Sequence, residues 1–261
     1  MRTCHHLYAV GVRVLYEHVE LRSFNEVTAF FHLDHPVVLS AHADPKRVEW
    51  ECIKSLEITI APGDSQRTLG KLPASLSGPG VGPLQLDRLR LTYKDDADFL
   101  IPLLRCLDPV ELGVCVRHNH LGWHDACWLS LAGWNRVRSI TTVCSPVNTT
   151  AFSIQTDLDR IPFGPPFPHV TSAVIRLPIL HSGRILALVF QADFLVQLCP
   201  ALPGIEIHIE SESDGSDVQS WVTDGVLGKR LGGKPSSFFS IVLKLAGSNI
   251  WGDIEGRDGR Q

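Results

Sequence analysis

Apolar residues recur along the chain in one arrangement, Φ-x-x-Φ-x-Φ, where Φ is an apolar residue. The copies begin at Ile53, Leu86, Leu107, Val137, Leu202 and Phe238, and a related alternation runs from Ala173 to Leu177. Successive side chains of a strand point to opposite faces, so the last two Φ residues of each copy predict a short strand with one buried face. The first Φ residue predicts a bend that buries one more apolar side chain before the strand.

The copies lie roughly 20 to 36 residues apart, which is the range of leucine-rich repeats and their irregular relatives. Between them the sequence predicts amphipathic helices over residues 99–104, after the acidic residues Asp95, Asp96 and Asp98, and over residues 124–134. A strand followed by a helix buries its apolar face only by stacking on a neighbouring unit. The pattern therefore predicts an α/β fold, an irregular leucine-rich-repeat-like solenoid with a mainly parallel sheet and covering helices. An ordinary α/β sandwich is the alternative.

Composition and charge narrow the class of protein. The 261 residues are 44% hydrophobic and 20% charged with a formal net charge of −4, which is typical of a globular protein and argues against nucleic-acid binding. No apolar run reaches the roughly 18 residues of a membrane span, and the N-terminus lacks the apolar core and cleavage site of a secretory signal. Seven cysteines without a CxxC pair predict reduced thiols. We expect an intracellular protein, cytoplasmic or nuclear.

The N-terminal run TCHHLYAVGVRVLYEHVEL, residues 3–21, resembles the closing part of an F-box and its exit into leucine-rich repeats in fungal F-box proteins. Residues 22–27 resemble the short helix that follows. Residues 52–60 resemble the first repeat strand, and residues 104–112 resemble a later repeat strand. The Leu-Pro-containing segment that opens an F-box and binds a Skp-type adaptor in that family is absent from the chain.

The resemblance implies three regions. Residues 1–21 are expected to be a remnant of the F-box C-terminal helix and exit strand, residues 22–246 a leucine-rich-repeat-like domain and residues 247–261 a flexible tail. The resemblance implies that the chain, as from an N-terminally truncated gene model, is a protein-recognition module similar to the substrate-binding repeat region of an F-box ubiquitin-ligase adaptor. We expect an unknown target protein as its partner, a Skp-type adaptor bound only weakly if at all, no cofactor and no enzymatic activity. A degenerate fragment without activity is an alternative.

The stretch CVRHNHLGWHDAC, residues 115–127, suggests a different function. Thiolate and imidazole are the usual ligands of zinc in proteins. The alternative is a metal-dependent hydrolase or a zinc-binding protein with the ligands Cys115, His118, His120, His124 and Cys127. The spacing matches neither HExxH nor HxHxDH, because Gly122 and Trp123 stand where the second signature needs Asp and His.

The repeat pattern offers a structural interpretation of the same stretch. Counting L-x-x-L-x-L-x-x-N/C from Leu107 places Cys115 at the final position, which turns inward in leucine-rich repeats. Cys115 is then a core residue, and the histidines lie mainly in the loop after the strand. We therefore predict no metal site.

The side chains between the Φ residues point away from the predicted core. If the strands are parallel and stacked, these side chains line one continuous face, and we predict that this face binds a partner protein. Its predicted residues are Glu57, Arg90, Glu111, Thr141, Arg176, Glu206, His208 and Lys244. Mixed charge on such a face favours specificity and association rate more than affinity. A solvated, unoccupied sheet surface is the alternative.

Overall fold

The described residues of the chain form eight strands, with helices of 4 to 15 residues between several of them. The computed structural model describes residues 11, 14–31, 50–60, 69, 72–93, 98–116, 133–144, 167–177, 184–210 and 216–244. The strands are β1 (His18–Leu21), β2 (Ser55–Thr59), β3 (Leu84–Tyr93), β4 (Leu107–Val116), β5 (Ser139–Cys144), β6 (Ser172–Leu177), β7 (Ile205–Glu210) and β8 (Phe239–Lys244).

The six α-helices that fall wholly within the described residues lie between strands. They are α1 (Phe24–Phe30), α2 (Ala74–Ser77), α3 (Ile101–Leu104), α4 (Arg184–Leu198), α5 (Ser216–Thr223) and α6 (Val226–Arg230). Two 3₁₀ turns, Asp98–Leu100 and Ser236–Phe238, precede α3 and β8. Helix α1 begins at Ser23, whose Oγ accepts a hydrogen bond from the amide of Glu26 at 3.2 Å, as is usual for a serine at this position.

The eight strands form one sheet in the order β1-β2-β3-β4-β5-β6-β7-β8. Each strand pairs with the next one along the chain, and all seven pairings are parallel. A parallel pairing requires a crossover between the strands rather than a tight hairpin. The predicted α/β fold with a parallel sheet is therefore confirmed.

The Φ residues fill the core on one face of the sheet. Two rows of aligned side chains cross this face, and each row contains one side chain from every strand. The first row is Val19, Leu56, Leu89, Leu112, Ile140, Ala173, Ile205 and Phe239, and the second is Leu21, Ile58, Leu91, Val114, Thr142, Ile175, Ile207 and Ile241. The predicted bend also places Ile53, Leu86, Val137 and Leu202 in buried positions before their strands. Val27, Leu104 and Leu195, from three helices, join these residues in one buried cluster.

Two copies of the motif lie two residues away from the register obtained by aligning the copies with each other. That alignment places Val110 and Leu112 of β4 opposite Leu89 and Leu91, whereas the sheet aligns Leu112 and Val114 with them. In β8 the sheet aligns Phe239 with Ile205, where the pattern placed Ile241. A shift of two residues leaves Leu112 and Ile241 on their predicted face, because side chains alternate with a period of two.

The predicted helix over residues 99–104 is confirmed as the 3₁₀ turn and α3. The predicted helix over residues 124–134 lies outside the described residues except for its end, which is wrong: Gly133 has a φ of 74° and Trp134 is not helical. Helix α5 begins at Ser216, next to Asp217. Serine and aspartate are common at helix starts as well as in loops.

The resembling N-terminal segments have the predicted local structure where the structure describes them. Residues 14–16 are helical, β1 follows, and residues 24–27 lie in α1. Strand β1 pairs with β2, so the sheet extends across the predicted domain boundary between residues 21 and 22. The predicted tail over residues 247–261 lies outside the described residues.

Candidate protein-binding face

The face of the sheet opposite the buried cluster carries mostly polar side chains, and we call it the polar face. Its side chains form three aligned rows. The lower row is His18, Ser55, Arg88, Glu111, Ser139 and Ser172; the middle row is Glu20, Glu57, Arg90, Gly113, Thr141, Val174, Glu206 and Ser240; the upper row is Thr59, Thr92, Cys115, Val143, Arg176, His208 and Val242. Because the strands are parallel and in register, the middle row crosses all eight strands, the lower row extends from β1 to β6 and the upper row from β2 to β8.

All eight residues predicted for the binding face occupy positions on the polar face. The middle row contains Glu57, Arg90, Thr141 and Glu206, the lower row contains Glu111, and the upper row contains Arg176 and His208. Lys244 ends β8 in register with Glu210, one position beyond the upper row. The alternation of the sequence thus places these residues on one face, although they belong to several rows.

Charged residues of neighbouring strands pair directly across the polar face. The Nε of Arg88 donates a hydrogen bond to Oε2 of Glu111 at 2.8 Å, and the two residues are in register on β3 and β4. Arg90 lies in register with Glu57, with 3.7 Å between the guanidinium and the carboxylate. Opposite charges facing each other on adjacent strands stabilise the sheet. Arg88 is not among the residues predicted for the binding face, although its position two residues before Arg90 places it on the same face.

The carboxylates of the polar face are more exposed than its arginines. Glu111 and Glu206 keep 46% and 39% of their side-chain surface in contact with solvent, whereas Arg88 and Arg90 keep 20% and 10%. Arg176 is buried, and Nε2 of His208 contacts Oε1 of Glu206. Among the charged side chains of β3 to β7, Glu111 and Glu206 therefore offer a larger exposed fraction than Arg88, Arg90 and Arg176.

The upper row is buried in the middle of the sheet. Thr92, Cys115, Val143 and Arg176 are all buried, and Cys115 and Val143 form a second apolar cluster apart from the main core. The prediction that Cys115 is buried is confirmed, but the register used for it was wrong. Cys115 aligns with Thr92 and Val143 on the polar face, since it lies one residue after the inward Val114.

The alternative metal site is mostly beyond what the structure describes. Of its five proposed ligands, His118, His120, His124 and Cys127 lie outside the described residues. Cys115 packs against Val143. Among the described residues, no three His, Cys, Asp or Glu side chains are grouped so that they could hold a metal ion.

The edge of the polar face at β1 carries an ion pair whose effect can be measured. Nε and Nη2 of Arg22 donate hydrogen bonds to the two carboxylate oxygens of Glu20 at 2.8 and 3.0 Å. These bonds, and to a smaller extent the positive charge, lower the pKa of Glu20. Both side chains are largely exposed, so we expect a small contribution to stability. That contribution is present at neutral pH and is lost as the pH falls through the lowered pKa.

We expect Arg22→Ala to raise the pKa of Glu20 towards the ordinary value, as measured by an NMR pH titration of side-chain carboxyl carbons. Lys54→Ala is the matched control, because Nζ of Lys54 donates a hydrogen bond to Oε1 of Glu17 at 2.6 Å and lowers the pKa of Glu17 instead. It should raise the pKa of Glu17 and leave Glu20 unchanged. An unchanged Glu20 titration in Arg22→Ala would contradict the bidentate geometry.

The chain matches no protein-family model, no curated protein and no solved structure. Within the described part of the chain, the helices are too short or too polar to cross a membrane.

Proposed function

We propose that the chain is an irregular leucine-rich-repeat-like solenoid that acts as a non-enzymatic protein-recognition module. It would resemble the substrate-binding repeat region of an F-box ubiquitin-ligase adaptor without a complete F-box. The observation that carries the proposal is the sequential, all-parallel order of the eight strands. In stacked repeats, units that are neighbours in sequence are neighbours in space, and every strand pairing of the sheet satisfies this condition.

The bends that precede the strands also support a repeat architecture. The bend before a strand recurs at Ile53, Leu86, Val137 and Leu202, each of which is buried. Backbone hydrogen bonds link equivalent bends: the amide of Arg88 donates to the carbonyl of Lys54 at 3.0 Å, and the amide of Arg138 donates to that of Val110 at 2.8 Å. The same local unit is thus built at several strands, as a repeat requires.

The polar face supports recognition of a protein. Solenoids bind their partners on the extended surface that their repeated strands create. Here the helix residues Val27, Leu104 and Leu195 lie in the cluster on the opposite face. The polar face spans all eight strands and carries ordered charge pairs. Ordered charges of both signs favour specificity between proteins.

A site-directed cross-linking experiment in cells tests the proposal. A photo-crosslinking amino acid replaces Ser172, which is exposed on the polar face, or Asp224, which is exposed between α5 and α6. We expect one protein to be cross-linked from Ser172 and not from Asp224. The cross-linked protein is then identified by mass spectrometry, purified, and shown to bind the purified chain.

Two results would refute protein recognition by the polar face. One is the absence of any specific cross-link from Ser172. The other is cross-linking of the same proteins from Ser172 and Asp224, since a non-specific surface would give that result. A Skp-type adaptor is included in the binding assay, and we expect it to bind the chain weakly or not at all.

A further inference from the structure

The polar face changes character between β4 and β7. On β5 and β6 it carries only small, uncharged side chains that are exposed or half-buried: Ser139, Thr141, Ser172 and Val174. Glu111 on β4 and Glu206 on β7 flank this strip on its two sides. Adjacent strands are about 4.8 Å apart, so the two carboxylates are separated by roughly 14 Å or somewhat more. We call this area the neutral strip.

On both sides of the neutral strip the more exposed member of the charged pair is a carboxylate. Glu111 is more exposed than its partner Arg88, and Glu206 is more exposed than its neighbour His208. Arg176, on β6 beside the strip, is buried. Salt in the solvent screens exposed charges beyond about 10 Å, so a partner interacts mainly with the charged groups that it contacts directly. Those groups are the two carboxylates.

We infer that the neutral strip binds an extended, basic segment of a partner protein. In this arrangement the backbone of the segment crosses β5 and β6, and two lysine or arginine side chains bond to Glu111 and Glu206. An extended chain rises about 3.3 Å per residue, so the two basic residues are about four positions apart. The inference rests on the proposed function and adds the chemistry of the partner to it.

The small side chains of the strip are necessary to this arrangement. Serine, threonine and valine have short side chains that project little from the sheet. A segment that crosses them can therefore bring its own side chains into contact with both carboxylates. An acidic segment or a nucleic acid would instead place like charges beside Glu111 and Glu206, which is unfavourable. A basic protein segment is the partner that satisfies both sides of the strip.

Fluorescence anisotropy with defined peptides tests the inference on the full chain. The probe is a labelled peptide of sequence Lys-Ser-Thr-Ser-Lys, and the comparison peptides carry glutamate in place of lysine or two adjacent lysines. We expect the probe to bind at low salt, to bind more tightly than either comparison peptide, and to dissociate as salt is added. Glu111→Gln and Glu206→Gln are each expected to weaken binding about fivefold or more, because each removes one charged hydrogen bond.

Asp224→Asn is the matched control variant, since it removes one exposed carboxylate away from the sheet. Circular dichroism of all three variants checks that the fold is unchanged. Failure of the lysine probe to bind, equal binding of the glutamate peptide, or an equal loss in Asp224→Asn would each overturn the inference. If a protein cross-linked at Ser172 binds Glu111→Gln and Glu206→Gln unchanged, the basic-segment inference fails while the proposed function stands.

Discussion

Leu89→Ala is expected to lower the free energy of unfolding by about 2–5 kcal/mol, the range for truncating a fully buried leucine. Leu89 is 0% exposed and lies in β3 near the middle of the sheet. It is in register with Leu56 on one side and Leu112 on the other. The substitution removes the apolar contacts of one position in a row that crosses the sheet, and close-packed neighbours can fill the cavity only in part.

Urea denaturation followed by circular dichroism measures this loss. Gln85→Ala is the matched control because Gln85 lies on the same strand and is exposed. We expect the control to change the free energy of unfolding by less than about 0.5 kcal/mol. Similar losses in the two variants would show that the first core row does not carry the stability of the sheet.

Residue pattern alone predicts the strands because each strand needs two inward side chains at a spacing of two. The same pattern predicts the face of the eight residues proposed for binding, but it places Cys115 on the wrong face. It cannot fix the register of β4, where Val110 with Leu112 and Leu112 with Val114 are two overlapping pairs of apolar residues at a spacing of two. The alignment of Leu112 with Leu89 places Pro109 at the bend, and Pro109 is buried although the pattern does not count proline as an apolar residue.

Helix α4 shows a second limit of the pattern. Its sequence RILALVFQADFLVQL is apolar at most positions, so it lacks the polar stripe by which an amphipathic helix is predicted. The ion pairs of the polar face show a third limit. The sequence places Arg88 and Glu111 on the same face, but only the alignment of β3 with β4 shows that they are neighbours.

One polar residue lies in the second core row, and the structure gives its physical reason. The motif copy that begins at Val137 ends in Thr142 rather than in an apolar residue. Oγ1 of Thr142 donates a hydrogen bond to Oε1 of Gln191 on α4 at 2.7 Å, and both residues are buried. A buried hydroxyl is tolerated when it is hydrogen-bonded. The pair therefore joins β5 to the helix that covers it.

Gln191→Leu is expected to lower the free energy of unfolding by about 1–3 kcal/mol, because it leaves the hydroxyl of Thr142 buried without its acceptor. Thr142→Val is expected to cost a similar amount by leaving the Gln191 carbonyl oxygen without its donor. The double variant replaces both partners by apolar groups, so its loss should be smaller than the sum of the two single losses. Urea denaturation of the four proteins completes the cycle. Strictly additive losses would show that the two side chains do not interact and that α4 is held on β5 by apolar packing alone.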